Sequence, residues 1–117
     1  QRTALPVHRL WHNGQPPSTA TPTMPTALHD ADIHAALAAL PGWTHQTQPP
    51  CLARDWQFTD FVQAFGFVTQ VALLAQAMDH HPDWSQSYNQ VSMRLHSHDA
   101  GGVTQRDVEL ARRINAL

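Results

Sequence analysis

The sequence predicts an α+β fold: a four-stranded antiparallel sheet with helices packed on one face, in the order α-β-β-α-β-β-α. Three observations carry this. Strand-like segments come in adjacent pairs, within 43–58 and 83–95, rather than singly between helices, which favours antiparallel pairing. Three segments with apolar residues three and four apart flank and separate those pairs. The longest of them, 60–78, is so apolar that it must lie against a sheet or another subunit.

Residues 1–26 read as an irregular extension, because Pro6, Pro16, Pro17, Pro22 and Pro25 fix φ and remove donors. Met24 reads as a natural start, with an upstream extension before it. Residues 27–117 read as the domain. Its first helix is Asp30 to Leu40, with Ile33, Ala36, Leu37 and Leu40 on one face, early aspartates, and Pro41-Gly42 as the stop. Trp43 to Thr47 and Leu52 to Phe58 make a hairpin around Gln48-Pro49-Pro50. The long helix opens on Asp60, with Gln63 three residues on as in a capping box. Phe61, Phe65, Val68, Ala72 and Ala75 form its stripe, with Phe65 expected to be buried. Asp83 to Tyr88 is extended. Val91, Met93 and Leu95 then alternate with Ser92, Arg94 and His96 as a half-buried strand. Thr104 caps a last helix running to Asn115, with Asp107 at its third position. Trp84 and Tyr88 are expected to be core aromatics or pocket walls.

Composition excludes several classes. Net charge is −2 with seven Lys+Arg, so there is no electrostatic footprint for nucleic acid or an anionic membrane. No uninterrupted apolar run of about 18 residues exists, so no membrane span is expected. The N-terminus lacks a basic-then-apolar secretory layout, and a cytoplasmic protein is expected. The single cysteine, Cys51, excludes an internal disulfide and reads as a small apolar residue near a strand.

The chemistry concentrates between Gln76 and Asp107. Four of the nine histidines, His80, His81, His96 and His98, fall within nineteen positions. Imidazole exchanges protons near neutral pH, so such a cluster points to proton transfer or metal binding. Gln76 stands four residues before His80, where a helical turn would let it orient that ring by a hydrogen bond. His96 and His98 share strand parity. Asp107 has two equally good readings, as a helix-start acceptor or as a histidine partner. A zinc set of His80, His96 and His98 is disfavoured, because adjacent His80-His81 strains a shared site and no carboxylate completes a clear ligand set by spacing.

The pattern Gln76-x-x-x-His80-His81-Pro82, then Tyr88, His98 and Asp107, resembles the signature of the pterin-4a-carbinolamine dehydratases. Asp60-Phe61, Ala64-Phe65-Gly66-Phe67, Val71-Ala72, Tyr88-Asn89-x-Val91, His98-Asp99-x-Gly101-Gly102 and Gly42-Trp43 support it, over roughly 30–117. The resemblance implies an α+β sandwich, dimeric or tetrameric. It implies a lyase that dehydrates 4a-hydroxytetrahydropterin to quinonoid dihydropterin and water, in tetrahydrobiopterin recycling for aromatic amino acid hydroxylases, with no metal or organic cofactor. His80 and His98 would be the acid/base pair, His81 would orient the pterin and Asp107 would hold a histidine in its working tautomer. Asp79, Pro82, Trp84, His96, Ser97 and Asp99 would line or hydrogen-bond the substrate. Gln76 departs from the family, where glutamate is usual. A carboxylate would hold an imidazolium, so its absence should move the pH optimum downward. Family members also bind helical partners or serve in assembly, which makes a non-catalytic interaction module the alternative.

Overall fold

The computed structural model describes residues 26–117; the proline-rich stretch before them, including Met24, lies outside the described residues. Among the described residues the order is α1 (Asp30–Leu37), β1 (Thr44–Thr47), β2 (Pro50–Gln57), α2 (Phe61–Met78), β3 (Asp83–Ser87), β4 (Gln90–Leu95) and α3 (Gln105–Asn115), with a 3₁₀ turn at His98–Ala100 between β4 and α3. The four strands form one antiparallel sheet in the order β1-β2-β4-β3. This is the fold that the sequence predicts. Its boundaries differ by a few residues, most at α1, which gives way to turns before Leu40.

One face of the sheet is covered. Val91, Met93 and Leu95 of β4 alternate inward and meet Leu52 of β2, Val68 and Val71 of α2, and Leu110 and Ile114 of α3. The other face carries Ser92 and Arg94, with Asp83 and Ser85 of β3 paired opposite them. Asp60 caps α2 by accepting a hydrogen bond from the Gln63 amide at 2.8 Å. Gly42 adopts φ +89°, and a Cβ there would stand 2.5 Å from Arg54 Nε. That is close enough to force the guanidinium off the Pro41 carbonyl, to which it donates at 3.0 Å.

The long helix departs from expectation. Ala64, Val68, Val71 and Ala75 are its buried positions, and Phe65 is 57% exposed, beside an exposed Phe61. The small residues let α2 lie close on the sheet; Phe61 and Phe65 turn outward, while Phe67 packs against Trp56 and Phe58. Phe61 and Phe65 stack on each other with ring centroids 6.4 Å apart. Mean hydropathy over α2 is 1.5, enough to cross a membrane by length and composition alone despite Gln63, Thr69, Gln70 and Gln76. In the fold its small-residue face packs on the sheet. Tyr88 and Trp84 are not core residues. Tyr88 is exposed in the β3–β4 turn at φ +52°, and Trp84 is partly exposed on the edge strand β3.

Candidate active site

The site forms where α2 ends, β4 ends and α3 begins. The amide of Asp79 donates to the Gln76 carbonyl and that of His80 to the Ala75 carbonyl, a Schellman-type ending with Asp79 in the left-handed region (φ 51°, ψ 42°). Aspartate tolerates that conformation better than most side chains. The turn swings His80 inward, leaving it 7% exposed.

Beneath His80 lies Asp107, fully buried. Its Oδ1 is 2.5 Å from His80 Nε2. Its Oδ2 accepts from Ser97 Oγ and from the Thr104 amide, each at 2.9 Å. Ser97 has one hydroxyl proton, given to the carboxylate, so Thr104 donates to Ser97 across 2.8 Å. Asp107 thus completes the capping box of α3 and holds the His80 ring at once. With Asp107 accepting here as it does from Ser97 and Thr104, Nε2 carries the ring proton and Nδ1 is the acceptor nitrogen.

Asp79, His80, His81, His96, Ser97, His98, Asp99 and Arg106 line one solvent-open pocket of about 270 Å³. His80, His81 and His98 therefore share a cavity, although they come from a helix end and a 3₁₀ turn. His98 does not continue β4 as a strand residue. The strand stops at Leu95, and Ser97 bridges Gly102 to close a small loop. His96 and His98 still meet edge to face, with ring centroids 4.2 Å apart.

Several expected positions change. Gln76 Oε1 lies 3.0 Å from His81 Nε2, not against His80. The left-handed Asp79 breaks the helical path on which four-residue spacing would have joined Gln76 to His80. The Ser97 hydroxyl is shared with Asp107 and Thr104, so Ser97 lines the pocket while it also holds the carboxylate. Pro82 and Trp84 do not line the pocket. Trp84 borders a separate surface depression with Asp83, Ser85, Ser92 and Arg94.

Two site residues escape sequence reading. Arg106 donates from Nη2 to Asp99 at 2.8 Å, while its buried Nε has no partner among the described residues. Its position one residue before Asp107 was the available signal. Asp83 Oδ2 lies 2.9 Å from His96 Nε2, a contact that only the β3–β4 register reveals. Cys51 is buried beside the same end of the sheet; burial pushes its thiol up, with Asp107 and Asp83 adding to the effect and Arg94 opposing it. It is a packed side chain, as its sequence context suggests.

Fold and site together define a small α+β protein whose buried aspartate organises a histidine-lined pocket. The chain belongs to the pterin 4 alpha carbinolamine dehydratase family, whose model matches residues 26–117. It is 51% identical over 90 residues to a Rhodopseudomonas palustris (strain BisB18) protein whose name assigns it to the pterin-4-alpha-carbinolamine dehydratases, covering 77% of this chain and 89% of the relative. A similarly named Synechococcus sp. (strain WH7803) protein is 49% identical over 94 residues, covering 80% and 99%. Among solved structures, a transcriptional coactivator/pterin dehydratase from Brucella melitensis superposes with a TM-score of 0.75 at 41% identity, over 78% of this chain and 97% of that one. A pterin dehydratase-like RuBisCO assembly factor of the alpha-carboxysome shares the fold alone, with a TM-score of 0.56 at 24% identity over 67% and 90%. By family, then, the protein is a dehydratase, a lyase.

Proposed function

We propose that this protein dehydrates 4a-hydroxytetrahydropterin to quinonoid dihydropterin, using His80 and His98 as its acid/base pair. The observation that carries the proposal is the seating of His80 on a buried carboxylate inside a pocket shared with His81 and His98. Loss of water from C4a needs a proton for the leaving hydroxyl and a base for the proton on N5. The C4a–O bond breaks as the N5 lone pair forms the C4a=N5 double bond. With its proton fixed on Nε2, His80 presents a basic Nδ1, which suits it to the N5 proton. His98, exposed at the pocket rim, then supplies the acid. His81, tethered by Gln76, orients the ring, and Asp79 and the Asp99–Arg106 pair offer polar contacts to its amide edge.

The same reading assigns the protein to the cytoplasm, to tetrahydrobiopterin recycling beside an aromatic amino acid hydroxylase, and to a homodimer or homotetramer, with no organic cofactor needed for the dehydration. The exposed Phe61, Val62, Phe65 and Leu73 of α2 support self-association. They also favour a second reading, an interaction module working through this helix. Stopped-flow absorbance separates the two. Quinonoid dihydropterin should form from synthetic 4a-carbinolamine faster than in buffer, and it should do so in the presence of a chelator. A rate equal to that in buffer refutes the enzymatic reading.

A further inference from the structure

The open face of the sheet carries a second constellation at the pocket rim. Asp83 is the first residue of β3 and pairs with Arg94 of β4. His96 lies two residues past Arg94, so it projects beside Asp83. The turn that follows brings His98 against His96. One ligand-type atom from each of Asp83, His96 and His98 lies within 4.8 Å of the other two. No part of the hydrophobic core depends on these side chains. They stem from three backbone segments fixed by the sheet and by the Ser97–Gly102 bridge. We propose that Asp83, His96 and His98 form a three-ligand site for a divalent transition ion of the zinc type, and that occupancy withdraws His98 from proton transfer.

The ligand chemistry favours such an ion. Two imidazoles and one carboxylate are a recurrent set for zinc, with the remaining position open to water. Imidazole suits zinc, copper and nickel, whereas magnesium and calcium prefer all-oxygen sites. Bonds of about 2.0–2.2 Å bring neighbouring ligand atoms to about 3.3 Å. Side-chain rotations close the present spacing, because the Asp83 carboxylate is 71% exposed and His98 is exposed too. His96 and Asp83 already share a hydrogen bond. The ion takes the place of that hydrogen, and the His96 proton resides on the other ring nitrogen. A ligated His98 nitrogen has no lone pair or proton to exchange with substrate. The inhibitory half of the proposal rests on the acid/base role proposed for His98; the binding half does not.

Zinc affinity is measured by competition with a chromophoric chelator, for the parent protein, Asp83→Ala and His96→Ser. The parent should bind one equivalent. Outer-sphere partners alone are worth about 10–100-fold in metal affinity, so loss of a direct ligand should weaken binding at least tenfold in each variant. No zinc binding by the parent, or parental affinity in both variants, overturns the site. Turnover is then followed with and without zinc. Zinc should slow the parent, while Asp83→Ala should keep its own metal-free rate when zinc is added. Zinc bound through this set without slowing turnover overturns the shared-histidine half. A parent that binds zinc here but turns over no pterin refutes the proposed dehydration and leaves the metal site standing.

Discussion

Replacing Asp107 by asparagine tests how the site sets the chemistry of His80. Asp107 accepts three hydrogen bonds: one from His80 on Oδ1, and two, from Ser97 and the Thr104 amide, on Oδ2. The Thr104 amide can only donate, so the single oxygen of an asparagine must stay on that side. Its NH₂ then faces His80 Nε2 and requires that nitrogen to accept. The ring proton moves to Nδ1, and the nitrogen available to substrate changes from acceptor to donor. A positioned acid or base contributes roughly a hundred- to ten-thousandfold in rate, so turnover should fall at least about a hundredfold. The remaining bonds lose their charged acceptor, and bonds to a charged group are worth about 1.5–3 kcal/mol, so stability should drop by about that much without loss of the fold. Stopped-flow kinetics and urea denaturation measure the two effects. Ring ¹⁵N shifts of His80 report the tautomer directly. Turnover within a few fold of the parent, or an unchanged tautomer, refutes the reasoning.

His80→Ala and His98→Ala should each lose at least about a hundredfold in stopped-flow turnover, and a double variant near parental activity would sink the acid/base assignment. Gln76→Glu places a carboxylate on His81, where it favours the charged imidazole up to higher pH. Activity at neutral pH should rise in a pH–rate profile, and an unchanged profile would show that this charge is unimportant. Phe65→Ala should cost the isolated protomer no more than about 0.5 kcal/mol, as for most surface changes, against about 2–5 kcal/mol for Met93→Ala in the core, both by urea denaturation. Phe65→Asp should lower the mass in solution if α2 joins copies of the chain. Cys51 should resist iodoacetamide at pH 8 until urea is added, because burial keeps the thiol protonated. The unfolded chain releases that proton first as pH rises past about 8.5, so this contribution to stability is lost on the alkaline side.

Much of the fold was legible because period and punctuation agreed. The alternation of Val91, Met93 and Leu95 marks β4, Asp60 and Thr104 mark helix starts, and all three features stand in the structure. The aromatic stripe of α2 misled because periodicity finds an apolar face without saying which apolar residues touch the sheet. Small Ala64 and Ala75 pack inward, and Phe61 and Phe65 do not. The histidine cluster was legible from spacing, as was Asp107 in its capping position. Its contact with His80, twenty-seven residues away, needed the tertiary structure. Gln76 was assigned to the wrong histidine because a single left-handed residue, Asp79, ends the helical spacing rule one position early. Asp83 was invisible beside His96 because strand register is not written in either segment alone.

In the proposed reaction His80, His81 and His98 together embrace one pterin ring. Titration of histidine-labelled protein with a dihydropterin, followed by ring-carbon NMR signals assigned through single substitutions, tests it most directly. All three imidazoles should shift along one saturable curve with a common dissociation constant, while His29, His34 and His45 stay still. Shifts confined to one of the three, or none at saturating pterin, would contradict it.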